Sequence, residues 1–248
     1  MSMKKINVNI KAVLQPLSNV ASVISQKNSL PILDMICLKT FIQDGETKLG
    51  ITASDAETWV TQYITIQGDE GIDICVNSND FLKGLRNIDE ENIEFVVNDE
   101  KKTIVGKYSN GYFSLTYEDS KDFPQHNLEL SDASEHIVDS AKLLSLINGV
   151  QYAVANDTLR LVLNTIHFDF FSDCLVAVAT DGQKLAKICD YDINNEKEEN
   201  FNLPSKPAVI LGNILSNIEG GVKCVFNNTS KGNRQIKFAG TLSPGAAR

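Results

Sequence analysis

Apolar residues recur three or four positions apart in residues 10–25 and again in residues 140–154, a spacing that places them on one face of a helix. Further helices are predicted over residues 78–88 and 204–219, and alternating apolar and polar residues predict strands between the helices. Pro16 lies inside the first helical stretch. Because proline has no amide proton to donate, we expect a kink or a restart of the helix there.

The order of these elements repeats once along the chain. Leu30–Leu38 and Leu159–Phe168 each begin an apolar strand, which turns at a polar hairpin and returns into Ala-Ser/Thr-Asp at Asp55 and Asp181. The second hairpin is shorter, as expected where insertions and deletions are tolerated. Downstream the match resumes, with residues 85–88 and 93–97 of the first half corresponding to residues 215–218 and 222–226 of the second.

Two copies of one unit are therefore predicted, each built as a strand, a helix, several strands, a second helix and further strands. We expect the boundary near Phe123-Pro124, which gives domains over residues 1–125 and 126–248. Helices on one side of a mainly antiparallel sheet make the fold class α+β, as a tandem repeat of two similar domains.

Composition excludes several classes of protein. The chain has 248 residues, of which 42% are hydrophobic, and no apolar run reaches the roughly 18 residues of a membrane-spanning helix. The three histidines have no metal-ligand spacing, and no phosphate-binding loop or nucleophile motif occurs, so neither a metal nor a cofactor is expected. The five cysteines are spread without a Cys-x-x-Cys pair, which indicates reduced thiols in a cytoplasmic protein.

The net charge of −9 argues against a generic basic nucleic-acid binder, but the charge is unevenly distributed. The four predicted helices carry two acids, Asp80 and Glu219, and sum to about +3, which leaves about −12 for the rest. A helix layer so poor in acids suggests that it faces a polyanion. The alternative is that short helices packed on a sheet have little polar surface. The basic residues of these helices are Lys11, Lys83, Arg86, Lys142 and Lys206.

Several motifs resemble the bacterial sliding clamp family, the beta subunit of the replicative DNA polymerase III. Leu30 to Leu33 is similar to the family's Leu-Pro-Ile-Leu segment, and Ala179 to Ala186 to its Ala-Thr-Asp-Gly-His-Arg-Leu-Ala motif. An Arg-x-x-Leu-Asn segment begins at Arg160, and Phe123-Pro124 matches the end of the family's first domain. The resemblance covers nearly the whole chain and implies a tandem repeat of clamp domains, with the family's third domain absent.

The resemblance implies a non-enzymatic processivity factor that encircles double-stranded DNA. Family members hold basic residues on the inner helices and on the loop after the first helix, and these contact phosphates without reading the base sequence. The corresponding DNA-binding residues here are Lys27, Lys83, Arg86, Lys142 and Lys206.

The resemblance also implies a pocket for short linear motifs of DNA polymerase and clamp-loader subunits. Its residues here are Leu163, Thr180, Gly182, Gln183, Lys184 and Leu185. An apolar wall with a polar rim suits a peptide's Leu or Phe. If the resemblance to the family is set aside, the residues from Thr180 to Leu185 are interpreted as a turn at the end of a strand, formed by Asp-Gly. The motif reads Gly-Gln-Lys-Leu where the family has Gly-His-Arg-Leu, so the planar fork of arginine is lost.

The resemblance does not decide how a ring of these chains would close. The family closes its ring through the third domain, whereas three two-domain chains would also make six domains. The first-domain interface corresponds to an edge strand with Phe113 and Leu115. The last strand of the second domain is expected to be cut short, since residues 243–248 have the composition of an unstructured tail.

Two alternatives remain. The chain could be a peptide-binding adaptor that never encircles DNA. It could also be an enzyme, with Asp55 and Glu57, or Asp181 and Lys184, as acid/base pairs. Neither pair has a nucleophile, a metal set or an orienting histidine nearby in the sequence, and both occupy equivalent points of the repeat, where a turn-forming aspartate is the simpler interpretation.

Overall fold

The computed structural model describes residues 3–25, 28, 30–125, 133–157, 159–192, 197–228 and 234–240. These residues form two compact units, with the division between residues 126 and 127. Helices and strands follow in the same order in both units.

The first unit is a closed barrel of eight strands with two helices packed against it. Around the barrel the strands follow the order β1-β4-β3-β2-β5-β8-β7-β6, and β6 pairs with β1. Two of the strand pairings in the barrel are short, since β1 pairs with β4 at two positions and β5 pairs with β8 at three. The elements are β1 Lys4–Asn9, α1 Ile10–Ala21, β2 Met35–Gln43, β3 Glu46–Ser54, β4 Trp59–Gly68, β5 Asp73–Asn77, α2 Ser78–Arg86, β6 Asn92–Asn98, β7 Thr103–Tyr108 and β8 Gly111–Asp119.

The second unit repeats this order as two sheets. One sheet has the order β12-β11-β10-β13 and the other the order β15-β14-β9. The β10–β11 pair is shorter than its counterpart β2–β3, which confirms the shorter hairpin. The elements are β9 Ser134–Asp139, α3 Ser140–Gln151, β10 Thr165–Phe170, β11 Leu175–Thr180, β12 Leu185–Asp190, β13 Glu199–Pro204, α4 Ser205–Leu215, β14 Gly221–Asn228 and β15 Arg234–Ala239.

Each helix begins directly after a strand, and a side chain caps the first turn in α1, α2 and α3, whereas α4 begins after Pro204 without such a cap. The Asn9 side chain accepts the amide proton of Ala12 at 3.0 Å before α1. Asp139, which is 130 residues further on, caps α3 in the same way. Such caps satisfy amide groups that have no partner within the helix. Below the caps, each helix buries one apolar face against the strands, as in α1 with Val13, Leu17 and Val20.

The Leu-Pro-Ile-Leu segment was predicted as a strand, and this prediction is wrong. Pro31–Asp34 is a 3₁₀ helix, and the strand begins at Met35. Proline is favoured in a first helical turn because its φ angle is already set and its missing amide proton is not needed there. The second unit repeats the feature, with a 3₁₀ helix over Leu161–Asn164.

The expected kink at Pro16 is also wrong, since α1 runs without interruption from Ile10 to Ala21. Pro16 is buried on the same side as Leu17, so packing against the strands maintains the helix despite the lost hydrogen bond. All four helices end before the predicted positions. The prediction of an α+β tandem repeat is confirmed. None of the helices in the described part of the chain is long and apolar enough to cross a membrane.

Candidate functional sites

The loop before β10 is held by the side chain of Asn164. Its Oδ1 accepts the amide proton of Asp157 at 2.8 Å, and its Nδ2 donates to the Asp157 carbonyl at 2.6 Å. The Asp157 carboxylate in turn accepts the amide protons of Leu159 and Arg160 and the Nε proton of Arg160. These three hydrogen bonds lower the pKa of Asp157 and fix the loop around it.

A second turn joins β11 to β12 and has a complete set of internal hydrogen bonds. The Thr180 hydroxyl donates to the Lys184 carbonyl at 2.7 Å and accepts the Gly182 amide proton at 3.1 Å. Asp181 accepts the amide protons of Gln183 and Lys184 at 2.9 Å. The Lys184 ammonium group lies 2.6 Å from the Asp181 carboxylate. The Lys184 side chain, together with both amides, holds the pKa of Asp181 well below its usual value.

The two turns are neighbours in space. A Cβ atom on Gly182 would lie 3.7 Å from Nη1 of Arg160. Large apolar side chains project into solvent from both segments, which is unusual because side chains of this kind are normally buried. Their exposed fractions are 92% for Leu159, 69% for Leu161, 65% for Val162 and 66% for Leu185. We call the described residues 157 and 159–164 and the turn 180–185, together with these side chains, the two-turn surface.

The two-turn surface holds every residue of the predicted peptide pocket. Gln183, Lys184 and Leu185 are exposed, while Leu163 and Thr180 are half-buried. Sequence reasoning missed Leu159, Leu161 and Val162 as surface residues, because the segment was assigned to a strand. A signal was present: alternate residues of a strand face opposite sides, and the nearly unbroken apolar run 159–163 does not alternate. The role of the predicted residues stays a prediction.

The acid/base pairs considered for an enzyme are turn-forming groups in the structure. Asp55 accepts the amide protons of Glu57 and Thr58 at 3.2 and 2.8 Å. Asp181 and Lys184 neutralise each other within their own turn. No group of three or more His, Cys, Asp or Glu side chains is arranged to hold a metal within the described ranges.

On the first unit, α1 and α2 pack together, and their solvent-facing side carries exposed basic side chains. Lys83 and Arg86 lie one turn apart on α2, and Lys11 is exposed on α1. A guanidinium nitrogen of Arg86 lies 3.3 Å from the Ser18 hydroxyl of α1, so a hydrogen bond joins the two helices. We call Lys11, Ser18, Lys83 and Arg86 the first-unit helix surface.

The corresponding helices of the second unit differ in charge. Lys142 of α3 lies 3.1 Å from Asp192 and 3.5 Å from Asp190, and the hydrogen bond to Asp192 is the main cause of its raised pKa. Its charge is therefore already partly balanced by acids. Lys206 is half-buried at the start of α4. Lys27, the remaining predicted DNA-binding residue, lies outside the described residues.

The predicted interface residues Phe113 and Leu115 lie on β8 and are half-buried. The Phe113 ring packs edge-on against Phe95 with 6.1 Å between centroids, so it contributes to the core of the first unit. Strand β8 pairs with β7 throughout Gly111–Thr116, whereas β5 contacts only Tyr117 to Asp119. One edge of Gly111–Thr116 therefore has no strand partner among the described residues.

Known proteins match both units. The model of the DNA polymerase III beta subunit N-terminal domain matches residues 4–129, and that of the central domain matches residues 137–243. A beta sliding clamp of Vibrio cholerae is 29% identical over 184 residues, which are 73% of this chain and 48% of that protein. One from Pseudomonas putida is 27% identical over 220 residues, which are 87% and 58% of the two proteins. The chain thus spans about half the length of these curated relatives.

Solved structures agree in fold. A sliding clamp of Pseudomonas aeruginosa bound to griselimycin has a TM-score of 0.81 at 22% identity, covering 98% of this chain and 66% of that one. The beta subunit from DNA polymerase of Streptococcus pyogenes has a TM-score of 0.83 at 19% identity, covering 96% and 62%. The two family models together extend over both units, and the chain therefore belongs to the DNA polymerase III beta subunit family.

Proposed function

We propose that the protein is a DNA sliding clamp, a non-catalytic processivity factor of the replicative polymerase in the cytoplasm. The observation that carries this proposal is the charge of the helices. With the helix bounds of the structure, the four helices carry five basic residues and one acid, Asp80, in a chain of net charge −9. Of the five, Lys11, Lys83 and Arg86 on the first-unit helix surface are exposed, and cations of this kind would attract phosphates weakly and without regard to sequence, which permits sliding. Residues 1–125 and 126–248 are the two clamp domains in this proposal.

Retention on DNA tests the proposal. The protein is loaded with a bacterial clamp loader onto closed circular duplex DNA, and its retention is compared before and after the circle is linearised. A clamp stays on the circle and slides off open ends. The double variant Lys83→Glu with Arg86→Glu removes two cations of the first-unit helix surface and should reduce loading. Lys101→Glu is the matched control, because Lys101 is exposed but lies outside the helices. Equal retention on circles and linear DNA would overturn encirclement.

We further propose that the two-turn surface docks short linear motifs of polymerase and clamp-loader subunits. Exposed leucine side chains around a hydrogen-bonded turn offer an apolar contact whose shape is already fixed, and this arrangement lowers the entropy lost on binding. Leu185→Ser should lower the affinity for a labelled peptide with a Leu-Phe anchor by about tenfold or more. Leu30→Ser is the control, because Leu30 is an exposed leucine at the equivalent loop of the first unit. Equal losses in both variants would contradict docking at this surface.

The alternative is a peptide-binding adaptor that does not encircle DNA. The pairing of Lys142 with Asp190 and Asp192 favours it, since the second unit then offers less free positive charge to a phosphate backbone. An adaptor of this kind keeps its peptide affinity and shows no difference between circular and linear DNA.

For the ring itself we propose a homo-oligomer in which the free edge of β8, with Phe113 and Leu115, contacts the second unit of a neighbouring copy. Unpartnered strand edges readily pair with other chains. Light scattering over a range of concentrations measures the mass in solution. A ring of three copies gives three times the chain mass of 27.3 kDa, and a strict monomer at high concentration would exclude autonomous ring formation.

A further inference from the structure

Two cysteines face each other across neighbouring strands of the first unit. Cys37 on β2 and Cys75 on β5 are direct partners in the antiparallel register. Both are free thiols. The sequence separates them by 38 positions, so their proximity is a product of the fold. Side chains directly opposite each other in a sheet lie on the same face.

The hydrogen-bond pattern between β2 and β5 shows whether Cys37 and Cys75 form a hydrogen-bonded or a non-hydrogen-bonded pair. The Thr40 amide donates to the Ile72 carbonyl at 2.9 Å, and the Ile72 amide donates to the Thr40 hydroxyl at 2.9 Å, so Thr40 occupies a hydrogen-bonded position of β2 toward the chain that leads into β5. Bonded and non-bonded pairs alternate along an antiparallel ladder, and Cys37–Cys75 is three residues away, so it is a non-hydrogen-bonded pair. Cα atoms of such pairs are about 4.5 Å apart, within the range of about 4.4 to 6.8 Å that a disulfide spans.

The surroundings give the two thiols different access to solvent. Cys75 is fully buried, at 0% exposure, whereas Cys37 is partly exposed. The Cys37 thiol also donates to the Asp73 carboxylate at 3.8 Å, and Lys39 lies 3.3 Å from the same carboxylate. The neighbouring Cys37 is the main cause of a strongly raised pKa of Cys75. An oxidant from solvent therefore reaches Cys37 first, and Cys75 reacts through Cys37.

We propose that Cys37 and Cys75 are an oxidative modification site, at which a peroxide converts the two thiols into a cross-strand disulfide that thiol reductants reverse. In the first step the Cys37 thiolate attacks one peroxide oxygen, so that an S–O bond forms, the O–O bond breaks and hydroxide leaves. In the second step the Cys75 sulfur attacks the sulfenic sulfur of Cys37, an S–S bond forms, and the oxygen leaves as water with the Cys75 proton. Two thiols and one hydrogen peroxide give one disulfide and two waters.

The other three cysteines lack this geometry. Cys189 is opposite Val176, and Cys224 is opposite His136. Cys174 precedes β11 and is therefore only diagonal to Cys189, at a distance where Cα atoms are about 7 to 8 Å apart, too far for a disulfide without backbone movement. The protein thus has one directly opposed pair of cysteines, Cys37 and Cys75, and one diagonal pair, Cys174 and Cys189, and the reactivities of the two pairs can be compared.

The proposed bond would act on the barrel, independently of any proposed DNA or peptide binding. Strand β5 is paired with β8 at three residue positions on one side and with β2 at five on the other. A disulfide between β2 and β5 closes the loop 37–75 in the unfolded chain and so favours the folded first unit. Oxidation is expected to raise the urea midpoint of the first unit, which contains the single tryptophan, Trp59.

The folded, reduced protein is treated with hydrogen peroxide, alkylated with iodoacetamide and digested with trypsin without reduction. Cleavage after lysine places Cys37 in peptide 28–39 and Cys75 in peptide 49–83. We expect a linked pair of these peptides that disappears with dithiothreitol, together with a higher urea midpoint by Trp59 fluorescence. Cys37→Ser should abolish both changes, while Cys75→Ala should leave a sulfenic acid on Cys37 that dimedone traps. Cys189→Ser is the control and should retain both the linked pair of peptides and the higher urea midpoint.

Two results would overturn the proposal. One is recovery of Cys37 and Cys75 as alkylated or singly oxidised peptides after peroxide treatment of the folded protein. The other is a linked pair that contains Cys174 and Cys189 in place of Cys37 and Cys75. If Cys75→Ala does not fold, the comparison of the parent chain with Cys37→Ser decides the question, because Cys37 lies on the partly exposed side of the pair.

Discussion

The residue that begins the fourth strand differs between the two repeats. Trp59 pairs with Ser54 in the first unit, and Leu185 pairs with Thr180 in the second, so the two residues are equivalent. Trp59 is half-buried, and its Nε1–H donates to the Pro124 carbonyl at 2.9 Å. Leu185 is exposed. The same strand start is thus bonded through Trp59 to Pro124 in the first unit, whereas in the second unit Leu185 at this position is exposed and belongs to the two-turn surface.

The turns before these residues also differ. Ala56 has φ +73° in the first unit, and Gly182 has φ +89° in the second. A Cβ atom makes this left-handed region unfavourable, and glycine avoids that strain. In the first unit Asp55 and the Ser54 hydroxyl hold the turn by accepting amide protons. The second unit combines a similar set of hydrogen bonds with a glycine, so its turn should be the less strained one.

Strand pairing is the third difference. The barrel of the first unit closes through β8, which pairs with both β5 and β7. In the part of the second unit that the structure describes, β13 pairs with β10 alone and β15 with β14 alone. Within the described residues the first unit is therefore a closed barrel, and the second consists of two open sheets.

Removal of a large core side chain should produce the largest difference in stability between the two units. Phe201 stacks on Phe168 with 4.9 Å between ring centroids and is buried in the second core. Phe201→Ala should destabilise that unit by about 3 to 5 kcal/mol through lost burial and a cavity. Urea unfolding should show a lower midpoint by circular dichroism, while Trp59 fluorescence stays unchanged. Phe95→Ala is the counterpart for the first unit and should shift the fluorescence. If both variants shift Trp59 equally, the units unfold as one.

Asn164 provides the next test of the comparison. Asn164→Ala removes two hydrogen bonds to the backbone of Asp157, which should cost about 1 to 3 kcal/mol and loosen the two-turn surface. We expect weaker binding of a Leu-Phe peptide by fluorescence polarisation. Asp34 is the residue 130 positions earlier and accepts one exposed hydrogen bond from Asn28. Asp34→Ala should leave peptide affinity unchanged, and an equal effect of both variants would show that Asn164 does not position the surface.

Exchange of the turn residues Gly182 and Ala56 should change the stability by smaller amounts and in opposite directions. Gly182→Ala places a Cβ atom at φ +89° with no atom nearer than 3.7 Å, so backbone strain alone should destabilise the protein by about 1 kcal/mol. Ala56→Gly relieves the same strain but adds unfolded-state entropy, and should stabilise by about 0.5 kcal/mol. Thermal midpoints measure both. The same sign for the two changes would contradict the difference in strain between the turns.

The sequence predicted the repeat well because the helices and hairpins depend on local periodicity, as the matched caps Asn9 and Asp139 illustrate. It failed where tertiary packing or short-range turn chemistry decides. The helix through Pro16 persists because its apolar face is buried, and Leu161–Asn164 forms a 3₁₀ helix although its residues favour strands.

Charge pairing could not be predicted for a similar reason. Lys142 was assigned to a DNA-facing surface by the family resemblance, and the absence of acids from its own helix agreed with that assignment. Its partners Asp190 and Asp192 lie about 50 residues away, at the end of β12 and just beyond it, and the tertiary fold alone brings them together. Helix-by-helix counting therefore identifies acid-poor segments but not the cations that remain free to bind.

Acid titration should show the smallest difference between the units. The Lys184 side chain and the amides of Lys184 and Gln183 lower the pKa of Asp181 from its ordinary value of 3.8. Since the folded pKa lies below the unfolded one, the charged carboxylate contributes stability above the unfolded pKa, and this is lost as the pH falls through the folded pKa. The stability difference between the parent chain and Asp181→Asn should therefore be constant from pH 7 to about 5 and shrink at lower pH.

Asp55→Asn is the matched variant, because Asp55 holds the equivalent turn of the first unit and the uncharged Thr58 occupies the position of Lys184. Its stability difference at pH 7 should be smaller than that of Asp181→Asn, since Asp181→Asn also removes the ion pair with Lys184 inside its own turn, whereas Thr58 is uncharged. Both effects are small because the turns are exposed and salt screens the pair. Urea midpoints measured between pH 7 and 3, at low and high salt, test this order. A difference for Asp181→Asn that already changes between pH 7 and 5 would show that another group controls the turn.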